Sequence, residues 1–148
     1  MLTAEEFYQR NGGEDRVRAK LRGGTVAQQD ARVAAALTSA IDEAISEMSA
    51  GRDRGRIASL TSDTAPDILK LHLADAAWYH LFKVMDVVTE ETLARHAGAM
   101  AWYRRVQSGK ADLLLTPQVA EDRTHQLPMH NRSSGTRMVG SELFKVRL

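Results

Sequence analysis

Cysteine is absent from the 148-residue chain, which excludes disulfides and thiolate metal sites and leaves the redox compartment unread. Charge of one sign is lacking too. A net +1 gives no global pull towards nucleic acid or membrane. No run of about 18 apolar residues exists to span a bilayer. The opening Met1-Leu2-Thr3-Ala4-Glu5-Glu6 has no basic region followed by an apolar stretch, so it does not read as a secretory signal. The expected setting is the cytoplasm, or a particle assembled there.

Familiar catalytic patterns are missing as well. There is no Gly-x-Ser-x-Gly elbow and no cysteine nucleophile. Gly23-Gly24-Thr25 lacks the lysine and the preceding strand of a phosphate-binding loop, and its glycines read as a helix break. Neither His-Glu-x-x-His nor Glu-x-x-His occurs, so the helical di-metal pattern is not present. His72, Asp75 and His80 fall at helical spacing and could share one face, but partly buried, hydrogen-bonded histidines explain them better than a metal or catalytic set. His96, His125 and His130 stand alone in the sequence. No catalytic constellation, no cofactor and no metal site is expected.

What the chain has is helix. Thr3 with Glu6 forms a capping box, and Leu2 with Phe7 has the spacing of a hydrophobic staple. These predict a short helix over 4–10, stopped by Asn11-Gly12-Gly13. A second, over 14–22, is acidic at its start and basic at its end, with Val17 and Leu21 as its contact row. Thr25 and Gln28 repeat the box and open a long helix to about Ala50. Val33, Leu37, Ala40, Ile41, Ala44, Ile45 and Met48 give it one apolar stripe, and Gly51 suits its C′ position. Residues 52–63 read as a linker. Pro66 sits in the first turn of the next helix, which runs to about Met85 and is apolar nearly all round. Such a helix is central, or lies between the body and another subunit. A last helix opens at Val88-Thr89-Glu90-Glu91, carries Leu93, Ala97, Met100, Ala101, Tyr103 and Val106 as its apolar row, and ends at Arg104-Arg105 before Gly109. Trp78-Tyr79 and Trp102-Tyr103 suit core packing better than a base-stacking platform, which needs interleaved basic residues. The fold class is therefore all-α: a small bundle of three main helices plus short N-terminal ones, over residues 1–112.

Residues 113–148 break the pattern. They hold two of the three prolines, Pro117 and Pro128, with Gly135, Gly140 and the polar run His130-Asn131-Arg132-Ser133-Ser134. Loops beyond about 15 residues without structure of their own are uncommon in compact domains. The segment is expected to be an extended arm that takes its shape from a partner. Over 142–148, Phe144, Val146 and Leu148 alternate with Lys145 and Arg147, the period of a half-buried strand. A lone strand is unstable in water and would add to a sheet edge elsewhere. These five residues are the expected partner-binding set. The arm's mild basic excess suits an acidic protein surface more than tight nucleic-acid binding. Arg52, Arg54 and Arg56 alternate in Gly51-Arg-Asp-Arg-Gly-Arg, a flexible loop that could touch phosphates.

In order and spacing, the chain resembles the Mu-like bacteriophage head–tail connector (adaptor) proteins. Thr3-Ala4-Glu5-Glu6-Phe7 is similar to that family's opening Thr-x-Glu-Asp-Leu, and Ala40-Ile41-Asp42-Glu43-Ala44-Ile45 to its Ala-x-x-x-Ile-Asp helix. Ala65-Pro66-Asp67-Ile68-Leu69 with Ala74-Asp75-Ala76-Ala77-Trp78-Tyr79 resembles its Pro-x-x-Leu and Ala-x-Asp-x-Ala-x-Tyr helix. Residues Arg95 to Tyr103, with Ser108-Gly109-Lys110-Ala111-Asp112-Leu113, resemble its closing helix and glycine exit. The likeness covers about residues 1–113, and it departs over Ile45–Ile57, where Ser, Met and Arg-Gly replace an aromatic-rich segment. The resemblance implies a non-enzymatic virion protein: a homo-oligomeric ring, a dodecamer by analogy, beneath the portal protein in the head–tail neck. That ring would extend the DNA channel, with non-specific DNA contact at most. It would dock the next neck or tail-terminator protein and need no membrane. The alternative is a small helical DNA-binding regulatory protein using the 52–56 loop; near-neutral charge and the lack of helix-turn-helix spacing argue against it.

Overall fold

The computed structural model describes residues 1–51 and 54–113, with Arg54 described by its backbone alone. All regular structure there is helical: α1 (Ala4–Arg10), α2 (Glu14–Lys20), α3 (Val26–Met48), α4 (Arg54–Ala58), α5 (Asp67–Val84) and α6 (Glu90–Gln107). Helices α3, α5 and α6 pack on one another in all three pairings, and α1 packs on α2, α3 and α5.

Local chemistry sets the helix starts. The Thr3 side chain accepts from the Glu6 N–H while the Glu6 carboxylate accepts from the Thr3 N–H, and Thr25 with Gln28 repeats this at α3. Each box satisfies two of the N–H groups that a helix start leaves unpaired. Thr89 caps α6 through the Thr92 N–H. Gly12, Gly13, Gly23 and Gly24 all have φ between 80° and 99°, so the breaks around α2 are built from left-handed backbone.

The stripe on α3 packs as its spacing indicates, with Val33, Leu37, Ala40, Ala44 and Met48 buried and Ile41 and Ile45 at its margin. Val17 and Leu21 are fully buried and hold α2 to the body. Ion pairs tie this end together: Lys70 meets Glu6 at 2.6 Å, and Arg18 meets Asp30 at 2.7 Å.

Several expectations need correction. The 52–63 linker contains α4, a single turn pinned by buried Ile57. Pro66 is the N-cap of α5 rather than a residue inside its first turn. Gly51 is not in left-handed backbone. Its role is close approach, since a Cβ there would lie 3.0 Å from the Gln107 Cα and 3.1 Å from its carbonyl oxygen. Finally, the inward row of α6 is rotated from the expected one. Thr92, Ala99, Met100, Tyr103 and Val106 are buried, while Leu93, Ala97 and Ala101 face outward. Helix α5 is central as expected, but not apolar contact all round: Leu71 and Val84 are exposed.

Candidate functional site

The side chains able to do chemistry gather where α3, α5 and α6 meet. His72, Asp75 and His80 do not form a common set. His72 stacks on Trp102 with ring centroids 4.6 Å apart, and its Nδ1 is buried without a hydrogen-bond partner among the described residues. Burial pushes this imidazole below the usual histidine range, with Asp75 opposing the shift. Asp75 itself pairs with Arg95 at 2.6 Å. His80 turns the other way, towards α3.

There it meets a partner the spacing gave no reason to expect. Glu43 Oε2 lies 3.0 Å from His80 Nε2 and 2.9 Å from His96 Nε2. An ionised carboxylate only accepts, so each ring offers it an Nε2–H. One oxygen thus receives a donor from α5 and another from α6. The three side chains are only 17–26% exposed. Burial works to raise the Glu43 carboxyl, but hydrogen bonds from His96 and His80 outweigh it and hold the group below its ordinary range. The Tyr79 ring stacks on His96 at 4.0 Å, fixing that imidazole in place. Two borderline nitrogens and one hard oxygen on a single point form a set that could hold a divalent ion.

The Trp-Tyr pairs divide between core and cluster. Trp78 and Tyr103 are buried; Tyr79 and Trp102 are half-buried and each stacks on a histidine. The Tyr103 hydroxyl has no hydrogen-bond partner among the described residues, and burial drives its phenol far above the ordinary tyrosine range.

Of the expected contact residues, Arg56 is exposed on α4, Arg54 lies on the same turn, and Arg52 is outside the described residues. The arm set, Phe144, Lys145, Val146, Arg147 and Leu148, is outside them too, as is the strand expected over 142–148.

A compact all-α body, its main helices joined by a shared polar cluster, is what the fold defines. The particular family follows from comparison: the model described as bacteriophage Mu, Gp36 matches residues 3–130, and the chain belongs to that family. The match extends past the body into the segment read as an arm. No curated protein and no solved structure matches the chain. The chain is thus a bacteriophage protein, and no described helix is long and apolar enough to cross a membrane.

Proposed function

We propose that this chain is a structural, non-enzymatic component of the head–tail connector. Copies of it would form a ring beneath the portal protein that joins the DNA-filled head to the neck and tail. Family membership supports a phage role. One observation on α6 carries the assembly reading. Gly98 lies in mid-helix, where glycine costs about 1 kcal/mol relative to alanine. A Cβ at Gly98 would meet nothing within 4 Å, so the described body supplies no steric reason for the glycine. Around it, Ala94, Ala97 and Ala101 are exposed and Leu93 is 50% exposed. Small residues with no long polar side chains among them leave a smooth strip that another helix can approach closely. Val84 at the end of α5, and Val87 and Val88 between α5 and α6, are exposed as well.

In this reading neighbouring copies pack on the α6 strip, and the 113–148 arm grips the portal, a neighbour or the next neck protein. Arg52, Arg54 and Arg56 would face channel DNA or the portal. The protein would then reside in the virion neck. Electron microscopy of the purified chain, alone and with portal protein, tests this. A closed ring is expected, and Gly98→Arg is expected to stay helical by circular dichroism yet fail to form it. A lone particle under both conditions, or a Gly98→Arg variant that assembles as well as the parent, removes the proposal.

A further inference from the structure

We infer that Glu43, His80 and His96 bind one divalent transition-metal ion, Zn²⁺ by ligand type, which ties α3, α5 and α6 together. The inference is independent of the assembly reading.

It rests on how the three groups converge. A hydrogen-bonded clamp would be served equally well by one histidine on each carboxylate oxygen. Here both Nε2 atoms meet the same oxygen, at 3.0 and 2.9 Å, and the three ligand atoms lie within 4.8 Å of one another. A tetrahedral ion bonded at about 2.0–2.1 Å sets its ligands about 3.3–3.4 Å apart. The two measured distances are shorter by only a few tenths of an ångström, a change that side-chain rotation supplies. On binding, each imidazole presents its Nε2 lone pair to the ion, and the proton carried there passes to Nδ1 or to solvent.

Ligand type narrows the ion. Two imidazoles with one carboxylate favour Zn²⁺ and its neighbours over Mg²⁺ or Ca²⁺, which take oxygen shells. Three protein ligands leave a fourth position for water. The surroundings are pre-organised: the Tyr79 ring against His96 limits its rotation, and all three side chains are mostly shielded, with exposures of 19% for His80, 26% for Glu43 and 17% for His96. Each ligand also comes from a different main helix, so an ion here would cross-link the bundle.

The test is a calorimetric titration of Zn²⁺ into the full-length, chelator-treated protein at neutral pH, with thermal denaturation alongside. One ion per chain is expected, with a Kd in the micromolar range or tighter. The melting temperature should rise by about 10 °C at a hundredfold excess over Kd. The His80→Ala, His96→Ala double variant should lower affinity at least hundredfold and Glu43→Gln at least tenfold. His72→Phe and the His125→Ala, His130→Ala pair should leave affinity unchanged. Should the double variant fail to fold, the wild-type protein still decides the matter. Nitrogen NMR with Zn²⁺ should perturb Nε2 of His80 and His96, and Co²⁺ should give the visible absorption of a four-coordinate site. Absence of stoichiometric binding, unchanged affinity in the folded double variant, or perturbation confined to His72, His125 or His130 overturns the inference.

Discussion

Glu6 serves two structures at once. Its Oε2 accepts from the Thr3 N–H at 2.9 Å and completes the capping box, while its Oε1 meets Lys70 Nζ at 2.6 Å. The Lys70 hydrogen bond is the larger cause, and with Thr3 it holds the carboxyl down to about 2 from an ordinary 4.5. A depressed acid binds fewer protons folded than unfolded. Its stabilisation is therefore complete above about pH 4.5 and is lost as pH falls through about 2. The Glu6 side chain is 34% exposed, so solvent screening reduces the gain to about 1 kcal/mol. Lys70→Met should accordingly lower stability by about 1 kcal/mol at pH 7 and by only a small fraction of that at pH 2. Urea unfolding across that range measures it, and an equal loss at both ends would show that Lys70 acts by packing instead. Only half of this residue's role was legible in the sequence. Thr3-x-x-Glu6 is a local pattern; Lys70 lies 64 positions away and no spacing announces it. The same reason hid the Glu43 cluster. His80 and His96 stand 37 and 53 positions from Glu43, so each reads alone as an unremarkable polar residue on a helix.

Among elements, local signals were read well and facing was not. Caps and glycine breaks placed five of the helices. The turn α4 was missed because Arg-Asp-Arg-Gly-Arg favours a loop, and one buried contact, Ile57, overrides that preference. On α6 two rows compete: Leu93-Ala97-Ala101 looks more apolar than Thr92-His96-Ala99-Tyr103, yet the second turns inward. Thr92 loses its polarity to a 2.7 Å hydrogen bond with Thr89, and His96 to Glu43. Two glycines show the same contrast between propensity and packing, with opposite outcomes. Gly98→Ala adds a methyl group in open space inside a helix and should stabilise the body by about 1 kcal/mol. Gly51→Ala drives a methyl group against the backbone of Gln107 at 3.0 Å and should cost about 1–3 kcal/mol. Thermal unfolding of the two variants beside the parent measures both; shifts of the same sign would contradict the packing at the α6 end.

At the scale of the whole molecule, the question is where the self-sufficient body stops. A boundary drawn after Asp112 cuts at the exit of α6, where Gly109 has φ 70°. Leu113, the first residue read as arm, is fully buried in the core cluster. Fully burying a leucine is worth about 1.5–3 kcal/mol. A chain ending at Asp112 should therefore melt several degrees lower than one ending at Leu113. The 1–113 chain should remain helical, with a melting temperature close to that of the full protein, because the packing of α3, α5 and α6 lies within it. Its expected deficit is in assembly. The family match continues to residue 130, so the start of the arm belongs to the pattern that defines the family and is not a private extension. If 113–148 orders on a neighbour, its contact energy must exceed the chain entropy lost on ordering, and burying the apolar Phe144, Val146 and Leu148 would supply part of it. Replacing those three with serine should leave the melting temperature of the unassembled full-length chain unchanged. In a tail-joining assay with filled heads, the triple variant and the 1–113 chain should both fail. Tail joining at the parental level by the 1–113 chain would mean that the helical body alone makes every contact the assembly needs.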